Sequence, residues 1–172
     1  PIPGLAKQLQ EIHKDNPTIN IQNSAVWVND EIKKFHLSEE YTDGSSLLDS
    51  LNNLRTEHSI DIPCFDFSTW ISETFCNDDY LILKLDIEGA EYEVLNRMIE
   101  EGTIHLINEF WGEWHDMKIS DAKTLEMSKK VYKYLEDNNI EFKEWEIHIP
   151  THGKSHPQLA FRPNNLIDLD NE

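Results

Sequence analysis

Cysteine is scarce in this chain. Cys64 and Cys76 are the only two in 172 residues, and their spacing matches neither a metal-binding nor a redox pair. Both read as reduced thiols of a cytoplasmic protein. Basic residues are few: 15 Lys and Arg face 33 Asp and Glu, a formal net charge of −18. Such a chain repels nucleic acid and anionic membrane. It suits a neutral or cationic small-molecule partner, and its acidity also keeps it soluble. No apolar run approaches the roughly 20 residues that span a bilayer, and no signal peptide is visible. Glycine is thin, with 6 residues, and nowhere do they gather into a glycine-rich loop. Internal repeats, low-complexity tracts and interdomain linkers are absent as well.

Against these absences stand 5 Trp, 5 Tyr and 7 Phe. That many aromatics argues for a packed core, and the length suits one domain. The expected domain covers residues 1–167, followed by an acidic tail at 168–172. Leu5, Leu9 and Ile12 recur at helical spacing, so a helix is expected from about Leu5 to Lys14, stopped by Asn16-Pro17. Ile19–Val28 reads as a strand, and Lys33–Leu37 as a second one, paired with it in a hairpin across Asn29-Asp30. Ser38–Ser46 is loop, and Leu47, Leu48, Leu51 and Leu54 suggest a short helix or ordered loop. Ile60–Phe65 alternates, and Pro63 marks it as an edge strand. Asp66 or Ser68 caps a helix to about Thr74.

The stretch from Tyr80 to Leu95 organises the rest. Tyr80–Leu85 is a short apolar run of buried-strand type. The pattern then breaks at Asp86, Glu88 and Gly89, and resumes with Ala90, Val94, Leu95 and Met98 on one helical face. Gly102 ends that helix, and Glu93 and Arg97 can pair across one turn of it. Ile104–Trp114 is the next strand. Ser120 or Asp121 caps a long helix carrying Leu125, Tyr132 and Leu135 on one side, ended by Asn138-Asn139. Phe142–Ile149 is a strand with Leu159–Phe161 as its antiparallel partner. The order of elements indicates an α/β sheet, parallel at its centre and antiparallel at one edge.

Two places carry chemistry. Asp86, Glu88 and Glu91 cluster where a strand turns into a helix, the position where ligands sit in open α/β sheets. The plainer reading is that acids simply cap a helix, worth about 0.5–1 kcal/mol each. The second place is the end of the next strand, where Glu113 and His115 fall on one face. If the two strands are neighbours, Glu113 and His115 come close to Asp86 and Glu88. Carboxylates and an imidazole there could deprotonate a hydroxyl or hold a divalent metal; spacing alone does not choose, and no metal ligand set is assigned. His148, His152 and His156 are spaced by four, but Thr151, Gly153 and Pro157 make a flexible loop the better reading than a helical metal site. Trp111 and Trp114 could form a sugar-stacking wall, although strand aromatics are more often core.

The run Leu83-Lys84-Leu85-Asp86-Ile87-Glu88-Gly89-Ala90-Glu91, followed by Val94-Leu95, closely resembles the signature of the FkbM family of S-adenosylmethionine-dependent methyltransferases. Asn23-Ser24-Ala25-Val26 resembles that family's third strand. Gly44-Ser45-Ser46-Leu47 resembles its small-residue loop, and Ile62-Pro63 to Asp66 the segment before the signature. Glu113-Trp114-His115 is similar to the end of the fifth strand in one branch. The resemblance covers about Pro1 to His115. It implies a class I methyltransferase (Rossmann-like) sheet with an antiparallel C-terminal edge. It also implies methyl transfer from S-adenosylmethionine to a hydroxyl of a glycan, polyketide or other small molecule.

By the same resemblance, Asn23, Ser24 and Ala25 line the adenine pocket and Asp86 and Glu88 face methyl donor and acceptor. His115 serves as general base, since an unperturbed imidazole titrates near neutrality, with Glu113 orienting it or sharing a metal with Asp86. The family's glycine-rich cofactor loop and its ribose-binding acid have no counterpart here. The chain is therefore expected to be the C-terminal two-thirds of a longer protein, N-terminally incomplete by two strands that would fill the middle of the sheet and leave an open edge on the Tyr80 strand. A non-catalytic binding domain and a metal-dependent hydrolase using Asp86, Glu88, Glu113 and His115 are the competing expectations.

Overall fold

The computed structural model describes residues 1–38, 44–49 and 58–144. The chain is a mixed α/β protein. Helix α1 spans Pro3–His13, strand β1 Ala25–Trp27, β2 Glu31–His36 and β3 Ser59–Asp66, followed by α2 at Phe67–Thr74. Then come β4 (Leu81–Leu85), α3 (Glu91–Glu100), β5 (Ile107–Gly112), α4 (Ala122–Asp137) and β6 (Phe142–Glu144), with single 3₁₀ turns at Thr103–Leu106 and Asp116–Lys118. Two three-stranded sheets result, in the orders β1-β3-β2 and β4-β5-β6.

The second sheet is parallel throughout. Parallel neighbours need crossover connections, and α3 and α4 supply them. The expected stripe on α3 is buried: Ala90, Val94, Leu95 and Met98 are all essentially inaccessible. Val94, Leu95 and Met98 pack with Phe67 and Ile71 of α2, Leu85 of β4, Ile107 and Phe110 of β5, and Val131 and Leu135 of α4 into the main core, whereas Ala90 joins a second cluster with Ile2, Ala25 and Trp27. Asp66 and Asp121 are the helix caps, accepting from the N–H groups of Thr69 and Thr124. The expected Glu93–Arg97 pair does not form. Arg97 instead meets Asp66 at 3.2 Å and Glu101 at 2.7 Å, and Glu93 accepts from the Thr124 hydroxyl.

The first sheet departs from expectation. Only Ala25–Trp27 of the stretch Ile19–Val28 is strand. It does not form a hairpin with β2. Both flank β3, β1 parallel and β2 antiparallel. The short link between them passes over the end of β3, where the Asp30 carboxylate accepts from the Asp66 N–H. β3 is thus the middle strand and not an edge. Pro63 is tolerated because the register with β1 begins one residue later, at Ala25↔Cys64. Ile104 also falls outside its expected strand: left-handed Gly102 leads into a 3₁₀ turn, and β5 starts at Ile107.

The described antiparallel pairing is β2 with β3; β6 lies parallel to β5. The expected antiparallel partner at Leu159–Phe161, the three spaced histidines and the acidic tail lie outside the described residues, as do Leu51 and Leu54. Among the described residues, no strand pairs with the second edge of β4. The β4 side chains alternate, so that Ile82 is 62% exposed while Leu85 is buried.

Gly112 fixes how closely β5 approaches β4. It pairs with Leu85 and with Glu144. A Cβ at this position would sit 1.9 Å from the Leu85 carbonyl oxygen and 2.7 Å from the Phe142 ring. Backbone cannot yield there without parting the strands. Gly112→Ala is expected to lower unfolding free energy by about 2 kcal/mol or more, measured by urea denaturation; a loss under about 0.5 kcal/mol, the range of ordinary surface changes, contradicts this packing.

Candidate functional site

The site is the corner where β4 ends and α3 begins. The chain leaves β4 at Asp86, and turns through Glu88 at φ 53° and Gly89 at φ 94°. Glycine adopts that left-handed geometry freely, whereas Glu88 is strained there by roughly 1–2 kcal/mol. Several bonds hold the turn against the strain. The Glu91 carboxylate reaches back and accepts from the Ile87 and Gly89 N–H groups, both at 2.8 Å. Ser46 donates its hydroxyl to the Glu88 carbonyl at 2.6 Å. Ala90, the cap residue, has no side-chain acceptor to offer, so Glu91 satisfies N–H groups that would otherwise be orphaned at this end of the helix.

Glu91 is fully buried, and a buried carboxylate needs a charged or multiply hydrogen-bonded partner. Its Oε1 also receives Nδ1 of His115 at 2.9 Å. His115 sits in the turn after β5 and is 1% exposed. Its other nitrogen points at three more carboxylates. Nε2 lies 3.5 Å from Glu88 Oε1, 3.8 Å from Glu113 Oε1 and 4.0 Å from Asp86 Oδ1. None of them meets Nε2 in hydrogen-bonding geometry. The outer oxygens are otherwise engaged: Lys84 holds Asp86 Oδ2 at 2.7 Å, and Lys118 holds Glu88 Oε2 at 2.8 Å.

The near-neutral pKa expected of His115 is not what these surroundings produce. Burial would lower it, but the Glu88 and Glu91 carboxylates outweigh burial and push it up to about 10. Burial likewise works to raise Glu88, yet His115 and Lys118 hold its carboxyl below the ordinary value. At neutral pH, His115 is therefore an imidazolium that binds carboxylates together, and in that state it cannot accept a proton.

Asp86, Glu88, Glu113 and His115, the four side chains singled out in the sequence, do converge. Asp86 and Glu88 also line a cavity of about 380 Å³ with Ser24, Ala25, Ile2, Leu5 and Ala90. Asn23 is exposed and lies off that lining, although its neighbours Gln22 and Ser24 are part of it. Glu113 and His115 approach the corner from the β5 side and do not line the cavity. Trp114 is no sugar-stacking wall: it stacks on Tyr92 at 5.5 Å and on Phe142 at 4.0 Å between ring centroids. Behind it, Tyr92 and Tyr132 both donate to Asp116, at 2.6 and 2.5 Å, and burial pushes both phenols far above their usual pKa. Trp111 lies under Lys143, 4.8 Å from its ammonium.

Lys118 escaped the sequence reading, and Ser46 entered it only as part of a small-residue loop, without a role. Each reaches Glu88 from a separate segment. Asp86, Glu88 and His115 can each offer one ligand atom within 4.8 Å of the others, a metal-compatible grouping. No family model, curated protein or solved structure matches the chain.

The charge state of His115 has a direct consequence for stability. Its folded pKa of about 10 exceeds the ordinary 6.5. The stabilisation is therefore complete below pH 6.5, and is lost as the pH rises through 10. NMR titration of metal-free protein should show the His115 ring still protonated at pH 8, with stability declining between about pH 6.5 and 10. Ionisation near 6.5 contradicts the assignment.

Proposed function

We propose that this chain carries the methyl-transfer corner of an S-adenosylmethionine-dependent O-methyltransferase. Its acceptor is a hydroxyl of a glycan, polyketide or other small molecule. The observation that carries the reading is that Asp86 and Glu88, at the end of β4, share one cavity with Ser24 and Ala25, at the start of β1. At about 380 Å³ it falls in the size range of small-molecule pockets, roughly 300–1,000 Å³.

Ile2, Leu5, Ala6, Leu9 and Val26 make an apolar wall, and Asp86 and Glu88 are the cavity's carboxylates. That combination suits a cation flanked by apolar groups. When bound, S-adenosylmethionine supplies an electrophilic methyl group on a sulfonium centre. The chain's own residues then have three tasks. Asp86 and Glu88 set a negative potential that favours a cationic ligand. Lys118, 2.8 Å from Oε2, fixes the Glu88 carboxylate, so that it needs no reorganisation. Asp86, which both lines the cavity and has a side chain 30% exposed, is our choice of proton acceptor for the hydroxyl. Positioning of the hydroxyl should matter as much as proton removal.

Calorimetric titration with S-adenosylhomocysteine tests this reading. One site per chain is expected. Ser24→Trp, which fills the cavity, should weaken binding by at least about tenfold, the equivalent of roughly 1.4 kcal/mol. Absence of binding by a folded protein, or binding indifferent to Ser24→Trp, overturns the reading.

A further inference from the structure

The feature that the methyl-transfer reading leaves unused is the orphaned nitrogen of His115. The ring is fully buried, its Nδ1 is committed to Glu91, and its Nε2 has no hydrogen-bond partner among the described residues. An unpartnered buried polar atom is costly and rarely retained without reason. This one is directed at Asp86 Oδ1, Glu88 Oε1 and Glu113 Oε1, all within 4.0 Å. We propose that His115 Nε2, Asp86 and Glu88 form a binding site for one divalent cation of the first transition row, with Glu113 at its open side.

Four observations converge on it. The ligand atoms of Asp86, Glu88 and His115 lie within 4.8 Å of one another. Two atoms each about 2.1–2.4 Å from a central ion are at most roughly 4.8 Å apart, so one ion reaches all three without a large shift. The second is the backing of the histidine. Metal-ligating imidazoles almost always give their other N–H to a carboxylate, a backbone carbonyl or water, which fixes ring and tautomer. Glu91 does this here, and is itself anchored by the Ile87 and Gly89 N–H groups.

The third is charge. Asp86, Glu88, Glu91 and Glu113 carry four negative charges, and Lys84 and Lys118 return two. Once the His115 ring is neutral, two negative charges are left for a dication to match. The lysines take the outer oxygens of Asp86 and Glu88 and leave the inner ones free to ligate. The fourth is access. The Asp86 and Glu113 side chains are 30% and 56% exposed, so an ion can enter from that side while His115 and Glu91 stay buried. As the metal–nitrogen bond forms, the Nε2 proton leaves to solvent. One imidazole with carboxylate oxygens suits Mn²⁺ or Zn²⁺ better than a soft monovalent ion.

The site rests on the geometry of the corner and is independent of the cofactor. Metal binding without S-adenosylhomocysteine binding leaves it standing. The test is calorimetric titration of chelator-treated protein with Mn²⁺, followed in parallel by loss of the free-ion EPR signal. Saturation at one ion per chain is expected. His115→Gln and Asp86→Asn should each weaken binding by about 10- to 100-fold. Glu109→Gln, a carboxylate on the sheet face paired with Lys143, should leave it unchanged. If His115→Gln fails to fold, Asp86→Asn, at a partly exposed position, carries the test alone. No stoichiometric binding of Mn²⁺ or Zn²⁺, or wild-type affinity in Asp86→Asn, overturns the proposal and leaves the imidazolium as the only positive charge at the centre of the cluster.

Discussion

The Glu91 carboxylate is the constraint on which the corner depends. It is fully buried, and it ties three things together: the Ile87 N–H, the Gly89 N–H and the His115 ring. The first two set the turn that carries Glu88 into a left-handed conformation. The third ties the end of β5 to the end of β4, beyond their last backbone hydrogen bond, from the Glu113 N–H to the Leu85 carbonyl. A buried carboxylate stripped of its partners is destabilising by about 3–5 kcal/mol. The turn, the helix start and the histidine are thus one unit.

Electrostatics follow from that unit. Nature seldom gathers four carboxylates around one ring, because each repels the others. Here the repulsion is countered from three directions. His115 sits among them, Lys84 and Lys118 bracket them, and the N-terminal end of α3 adds its positive dipole end. The result is a corner with high negative potential on the cavity side and fixed positive charge behind it. Such preorganisation suits a cationic or metal-assisted step and costs nothing at the moment of reaction.

The parallel half of the fold was legible because its signals are local. Tyr80–Leu85 is a short apolar run before a turn, and Ala90, Val94, Leu95 and Met98 repeat at helical spacing; the structure puts β4 at Leu81–Leu85 and buries that stripe. The other half was not. The Asn29-Asp30 turn suggested a hairpin, but β3, which begins only at Ser59, comes between the two strands. Pro63 suggested an edge, yet one unpaired position next to the register of β1 was enough to admit it to a middle strand. The site shows the same division. Asp86, Glu88, Glu113 and His115 could be named because neighbouring strands end together. The charge on His115, the reach of Lys118 and the exclusion of Asn23 from the cavity depend on distances of an ångström or two, which no spacing in the sequence encodes.

The account rests on Glu91 and His115 acting as one buried pair. A double-mutant cycle with Glu91→Gln and His115→Gln, read by urea denaturation at pH 7, tests this most directly. The account predicts that the two single changes are each severe and that the second adds little to the first, a coupling energy of about 2–3 kcal/mol. Effects that simply add, to within about 0.5 kcal/mol, would mean that the pair does not act as a unit and that the corner is held by something else.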